Sequence, residues 1–95
     1  MYLKVGDQIQ FAIIEETFDV RAVNNRFAIC TSGTYHTIVD FENGTRGKDH
    51  WIFGRYNYSD PEDINICMSE LMSGECRLSR DRVPLDIVSI NGNAV

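Results

Sequence analysis

The sequence predicts an α+β fold: a strongly bent antiparallel β-sheet of five or six strands, rolled or closed into a partial barrel, with one α-helix near residues 60–73. Three observations carry this. The first forty residues are short runs of alternating polar and apolar residues parted by turn residues, as half-buried antiparallel strands require. One stretch alone, after Pro61, carries apolar residues at helical spacing. A last run rich in β-branched residues follows from Val83 to Ile90.

Taken in order, Gln8-Ile9-Gln10-Phe11-Ala12-Ile13 alternates and forms the first expected strand. Phe18 to Val23 alternates as well, which sets Phe18, Val20 and Ala22 on one face. Asn24-Asn25 then suggests a tight type I′ hairpin into Arg26-Phe27-Ala28-Ile29-Cys30-Thr31, because Asn tolerates the left-handed conformation. Ser32-Gly33-Thr34 makes the next turn, Tyr35 to Phe41 the fourth strand, and Glu42-Asn43-Gly44 another turn. A fifth strand is expected through His50-Trp51-Ile52-Phe53.

Ser59 or Asp60 can cap the helix, Pro61 suits its first turn, and Glu62 and Asp63 complement its dipole. Ile64, Cys67, Met68 and Leu71 fall at i, i+3, i+4 and i+7, a stripe that should cover one sheet face. Gly74 is placed to end the helix in a left-handed cap. In the final strand, Pro84 argues for an edge position, and the residues after Ile90 read as a frayed tail.

Ninety-five residues make one domain, which buries about 60–65% of the unfolded chain's surface on folding. The apolar share of 43% and charged share of 24% are those of a soluble globule. No apolar run reaches the roughly 20 residues of a membrane helix, and the start lacks the apolar core of a signal peptide. A cytoplasmic chain without membrane contact is expected. Three widely spaced cysteines, Cys30, Cys67 and Cys76, argue against a disulfide framework. The net charge of −5 makes nucleic acid an unlikely partner. Charge is nonetheless uneven: six of the nine Lys and Arg lie between Arg46 and Arg82.

Lys4-Val5-Gly6-Asp7-Gln8-Ile9-Gln10-Phe11 resembles the entry turn of small SH3-like barrels, which leads into a bent first strand. Over most of its length the chain also resembles a family of small phage, prophage and conjugative-element proteins. The matching stretches are Arg26 to Thr31, Tyr35 to Asp40, Arg46 to Gly54 and Arg82 to Ile87. In that family the residue at Trp51 tends to differ and the turn at Ser32-Gly33 tends to be longer. The resemblance implies an accessory role in a mobile element and carries no activity with it.

The two histidines, His36 and His50, come without the short Cys or His spacings that seed a metal site, so neither metal nor cofactor is expected. A Cys30–His36 nucleophilic pair would need both side chains on one face, and His36 is expected on the outer face of its strand. The carboxylate pairs Glu15-Glu16 and Glu62-Asp63 read as a solvated tip and helix N-terminal charge. No enzyme is expected.

The segment from Thr45 to Arg55 stands apart. It holds the only Trp, one of two His and three of nine basic residues. Arg46, Lys48, His50, Trp51, Arg55, Tyr56, Tyr58, Arg80 and Arg82, joined by Arg77, are the expected binding residues. They could gather into an Arg/aromatic pocket for a nucleotide or other phosphate. Alternatively Trp51 is core and the arginines pair with Asp49, Glu75, Asp81 and Asp86. The leading expectation is a non-enzymatic protein that binds a host or phage protein; the alternative is a nucleotide-sequestering protein. A homo-oligomer stays open.

Overall fold

A computed structural model of the chain describes residues 3–50 and 55–95. Among these the secondary structure runs β1 (Gln8–Phe11), β2 (Phe18–Val23), β3 (Phe27–Ser32), β4 (Tyr35–Asp40), β5 (Thr45–Gly47), α1 (Pro61–Ser73), β6 (Val83–Pro84), β7 (Ile87–Ile90) and β8 (Asn93–Ala94). The strands form one antiparallel sheet in the order β6-β5-β4-β3-β2-β1-β7-β8. This is the α+β fold with a bent sheet and one helix that the sequence predicts. Eight strand segments replace the five or six expected, for local reasons.

The Lys4–Asp7 turn sets the first bend. Gly6 sits at φ 96°, and the Asp7 carboxylate accepts the Lys4 backbone N–H at 2.9 Å. The expected turn at Asn24-Asn25 forms, but neither Asn has positive φ, so it is not type I′. Instead Asn24 Oδ1 accepts the N–H groups of Arg26 and Phe27 at 2.8 and 2.7 Å, an Asx turn. Between Val20 and Ala22 the pairing with β3 slips by one residue. That bulge at Arg21 flips strand parity, so Ala22 leaves the face of Phe18 and Val20 and packs on the opposite one.

The run expected as one final strand is divided. Val83–Pro84 pairs with β5, while Ile87–Ile90 pairs with β1 at the other end of the sheet order. Leu85 donates to the Gly44 carbonyl, and Asp86 accepts from Ala12. Two residues thus carry the chain from one sheet edge to the other, which rolls the sheet around its inner face. Pro84, lacking an N–H, lies in an edge strand as expected. The residues after Ile90 do not fray: Asn91 turns at φ 52° and β8 folds back on β7. β5 lies at Thr45–Gly47, just before the expected fifth strand, whose residues 51–53 fall outside those described.

β3 and the end of β4 are buried on both faces, because each face meets a different core. Inside the roll, Ile9, Phe11, Val20, Ala28, Cys30 and Val39 pack with Leu3 and Phe18. On the other face α1 lays Ile64, Cys67 and Leu71 over Ile29 and Ile38, and Met68 packs at the margin of that cluster. Burying a side chain of this size contributes about 1.5–3 kcal/mol, so the stripe explains why the helix docks. The Asp60 side chain caps the helix by accepting the Glu62 N–H at 2.9 Å, and Gly74 closes it at φ 84°. All three cysteines are free. No helix among the described residues is long and apolar enough to cross a membrane.

Candidate binding groove

Beyond the helix the chain returns to β5 and builds a second ladder with it. His50 donates to the Arg77 carbonyl at 2.9 Å, Asp49 bridges Leu78, and Ser79 donates to the Lys48 carbonyl at 2.8 Å. Val83 then pairs with Arg46. Between these points Arg82 passes over β5 so closely that a Cβ on Gly47 would lie 2.9 Å from its Cγ. Glycine is therefore required at position 47 by proximity.

This packing leaves a groove of about 580 Å³. Its lining includes the apolar Ile14, Phe18 and Val83, the rings of Tyr35 and His36, and the charged Lys48, Glu16 and Asp81. Tyr35 is 60% exposed and Val83 41%. Lys48 Nζ sits 5.9 Å above the Tyr35 ring and forms no ion pair among the described residues. Next to Ile14, Ile13 is fully exposed at φ 72°. A β-branched residue held in the left-handed region is strained, and strain of this kind collects at functional surfaces.

His36 forms the floor. Strand side chains repeat with period two, so His36 shares a face with Ile38, which is fully buried beneath α1. The outer-face expectation for His36 is thereby corrected. Its ring stacks on Tyr58 with centroids 3.8 Å apart, and Nε2 lies 3.5 Å from Asp49 Oδ2. Burial holds the imidazole below its ordinary pKa; Asp49 opposes this and Lys48 adds to it. Cys30 lies on the opposite face, inside the roll, so the two do not form a nucleophilic pair. Burial pushes its thiol up to about 12.

Behind the floor runs a buried polar network. The Tyr58 hydroxyl donates to Asp49 and lies 3.8 Å from Cys67 Sγ. Cys67 and Cys76 face each other; that contact, joined by burial, raises the Cys67 thiol, while at Cys76 it lowers the thiol against the opposing effect of burial. Tyr56 donates to Glu70 Oε1 at 2.6 Å, and Arg55 pairs with the same carboxylate at 3.1 Å. Tyr56 is raised first by burial and then by this bond, which in turn lowers Glu70. Among the described residues no three His, Cys, Asp or Glu side chains form a metal-sized cluster.

The expected binding residues therefore fall in separate places. Arg46 and Lys48 line the groove, but Arg46 is held by Asp86, with Nε at 2.6 Å from Oδ1, and rests over the Phe11 ring. Arg55, Tyr56 and Tyr58 belong to the polar network. His50, Arg77 and Arg80 line a second cavity of about 510 Å³, and Arg77 and Arg82 a third. Trp51 lies outside the described residues. Of the structural pairings considered from sequence, Arg46–Asp86 forms. Among the groove residues that sequence reasoning missed are Ile14, Glu16, Phe18, Tyr35, His36, Asp81 and Val83. Correct parity counting from Ile38 would have found His36. Comparison with known protein families, with curated proteins and with solved structures finds no match to this chain.

Proposed function

We propose that this chain is a small non-enzymatic binding protein that takes a segment of a partner protein in the groove between Ile14 and Val83. The observation that supports it is the exposure of Tyr35 and Val83 on that groove beside the strained, solvent-facing Ile13. Exposed aromatic and aliphatic side chains on a concave surface are what a partner's apolar residues bury against. His36 Nε2 makes no hydrogen bond among the described residues and Cys30 lies on the opposite face, so this pair lends no support to a catalytic reading. The resemblance to phage and mobile-element proteins is consistent with a cytoplasmic accessory role toward a host or phage protein.

The nucleotide reading draws less support. Arg46 and Arg55 are committed to Asp86 and Glu70, which leaves the expected Arg/aromatic pocket dispersed. To test the proposal, peptides are selected on the purified chain from a random displayed library. Tyr35→Ala combined with Val83→Asp is expected to fold and to lower affinity for the selected peptides by at least about tenfold. Unchanged affinity in the folded double variant would overturn the groove as the binding surface.

A further inference from the structure

We propose that the segment bound in this groove is acidic, and that Arg77 and Arg80, on the ridge beside it, bind its carboxylates. The inference rests on the groove reading and names the chemistry of the occupant. Its starting point is a contrast among the arginines. Arg26 pairs with Asp40 and Glu42, Arg46 with Asp86, and Arg55 with Glu70. Arg77, Arg80 and Arg82 are exposed, and none has an acidic partner among the described residues. Glu75 and Asp81 lie in the same stretch, but neither forms an ion pair with these three arginines among the described residues, so the guanidinium groups stay open to an outside carboxylate.

Position supplies the second argument. Ser79 lines both the groove and the cavity that holds Arg77, Arg80 and His50. A segment whose apolar residues lie against Tyr35 and Val83 therefore continues directly onto the arginines. Lys48 stands on the groove itself, and among the described residues it forms no ion pair with Glu16 or Asp81, which also line it. Planar guanidinium groups suit bidentate carboxylate recognition, and exposed charges of this kind set association rate and partner choice more than total affinity. A polyanion such as nucleic acid fits less well. Apart from His50, no aromatic side chain among the described residues lines the arginine cavity to stack a base.

The test uses the full chain and twelve-residue peptides selected from the random library at low salt. The enriched peptides are expected to place Asp or Glu beside aromatic or aliphatic residues. Their affinity should fall by about tenfold or more between roughly 50 and 300 mM salt, because exposed charge pairs are screened. Arg77→Glu with Arg80→Glu should weaken them at least as much while leaving the circular dichroism spectrum unchanged. The salt series needs no variant, so it decides the matter even if the double substitution unfolds the chain. Enriched peptides without acidic excess, or salt-independent affinity, would overturn the inference and leave the groove reading standing. Absence of any enriched sequence would overturn both. A single-stranded twelve-nucleotide DNA that displaces the selected peptide at lower concentration would overturn it in favour of nucleic acid.

Discussion

The two faces of the sheet are built from different materials. Inside the roll the buried side chains are almost wholly apolar, with Ile9, Phe11, Val20 and Val39 at 0–1% exposure. Under the helix, Ile29, Ile38 and Leu71 share their layer with Tyr56, Cys67 and Cys76, and His36, Asp49 and Tyr58 close its edge. The first face needs only volume and shape. The second needs each polar group partnered, since a buried donor or acceptor left alone costs about 1–3 kcal/mol. The second face also backs the groove through His36. One side of the sheet is held by apolar packing alone, and the other combines apolar packing with a polar network.

Truncations test that division most strongly. Phe11→Ala is expected to cost about 3–5 kcal/mol and Leu71→Ala about 2–4 kcal/mol in chemical denaturation, through lost burial and residual cavities. A Leu71→Ala cost under about 0.5 kcal/mol would mean that the helix does not seal its face. Tyr58→Phe is a finer cut. It keeps the ring stacked on His36 but removes the hydroxyl from Asp49, and about 1–3 kcal/mol of destabilisation is expected. No loss there would show that the network is solvated in solution.

Acid titration separates the faces next. His36 is held below its ordinary 6.5, mainly by burial, so the unfolded chain takes up that proton first. Stability should be complete above about pH 6.5 and decline as pH falls below it. Glu70, lowered chiefly by Tyr56, and Asp7, lowered chiefly by Asn91, add a second decline through the carboxylate range. His36→Phe should flatten the first decline and leave the second. Thermal melts across pH 4–8, a window set by these ordinary pKa values, measure both. The smallest effect is on thiol labelling. Cys76, 3% exposed, should react with a disulfide reagent before Cys67 and Cys30, both at 0%. Mass spectrometry of partly labelled protein reads the order.

Much of this architecture is legible in the chain. The helix announces itself at both ends, by Asp60 before Pro61 and by Gly74, and its stripe names its own buried residues. The meander from β1 to β4 follows from alternation and turn residues. Alternation fails where parity is broken. The bulge at Arg21 moves Ala22 to the helix side, and no single-residue signal marks it. The crossing at Leu85 and Asp86 is equally silent, because a chain that changes partner between sheet edges keeps the composition of one strand. The groove was hidden for a related reason. Its walls come from the loop after β1, the start of β4, the end of β5 and the run into β6. The conspicuous arginines and aromatics of the central segment drew attention to Arg46, Arg55 and Tyr56, which serve internal pairs.

The rolled sheet also fixes an order of events at the ribosome. β1 pairs with β7 through Ile9 opposite Ile90, so β1 must wait for a strand far along the chain before one of its edges is covered. Until then Ile9 and Phe11 belong to a nascent chain with an open strand edge, the condition under which strands join the wrong neighbours. The β2–β3–β4 hairpins, joined by two short turns, can form long before that. Synthesis of β7, rather than of β1, is then the step at which this edge of the sheet is covered. A version ending before Ile87 is expected to keep hairpin structure yet aggregate, and sedimentation of such a truncated chain beside the full one would show whether it does.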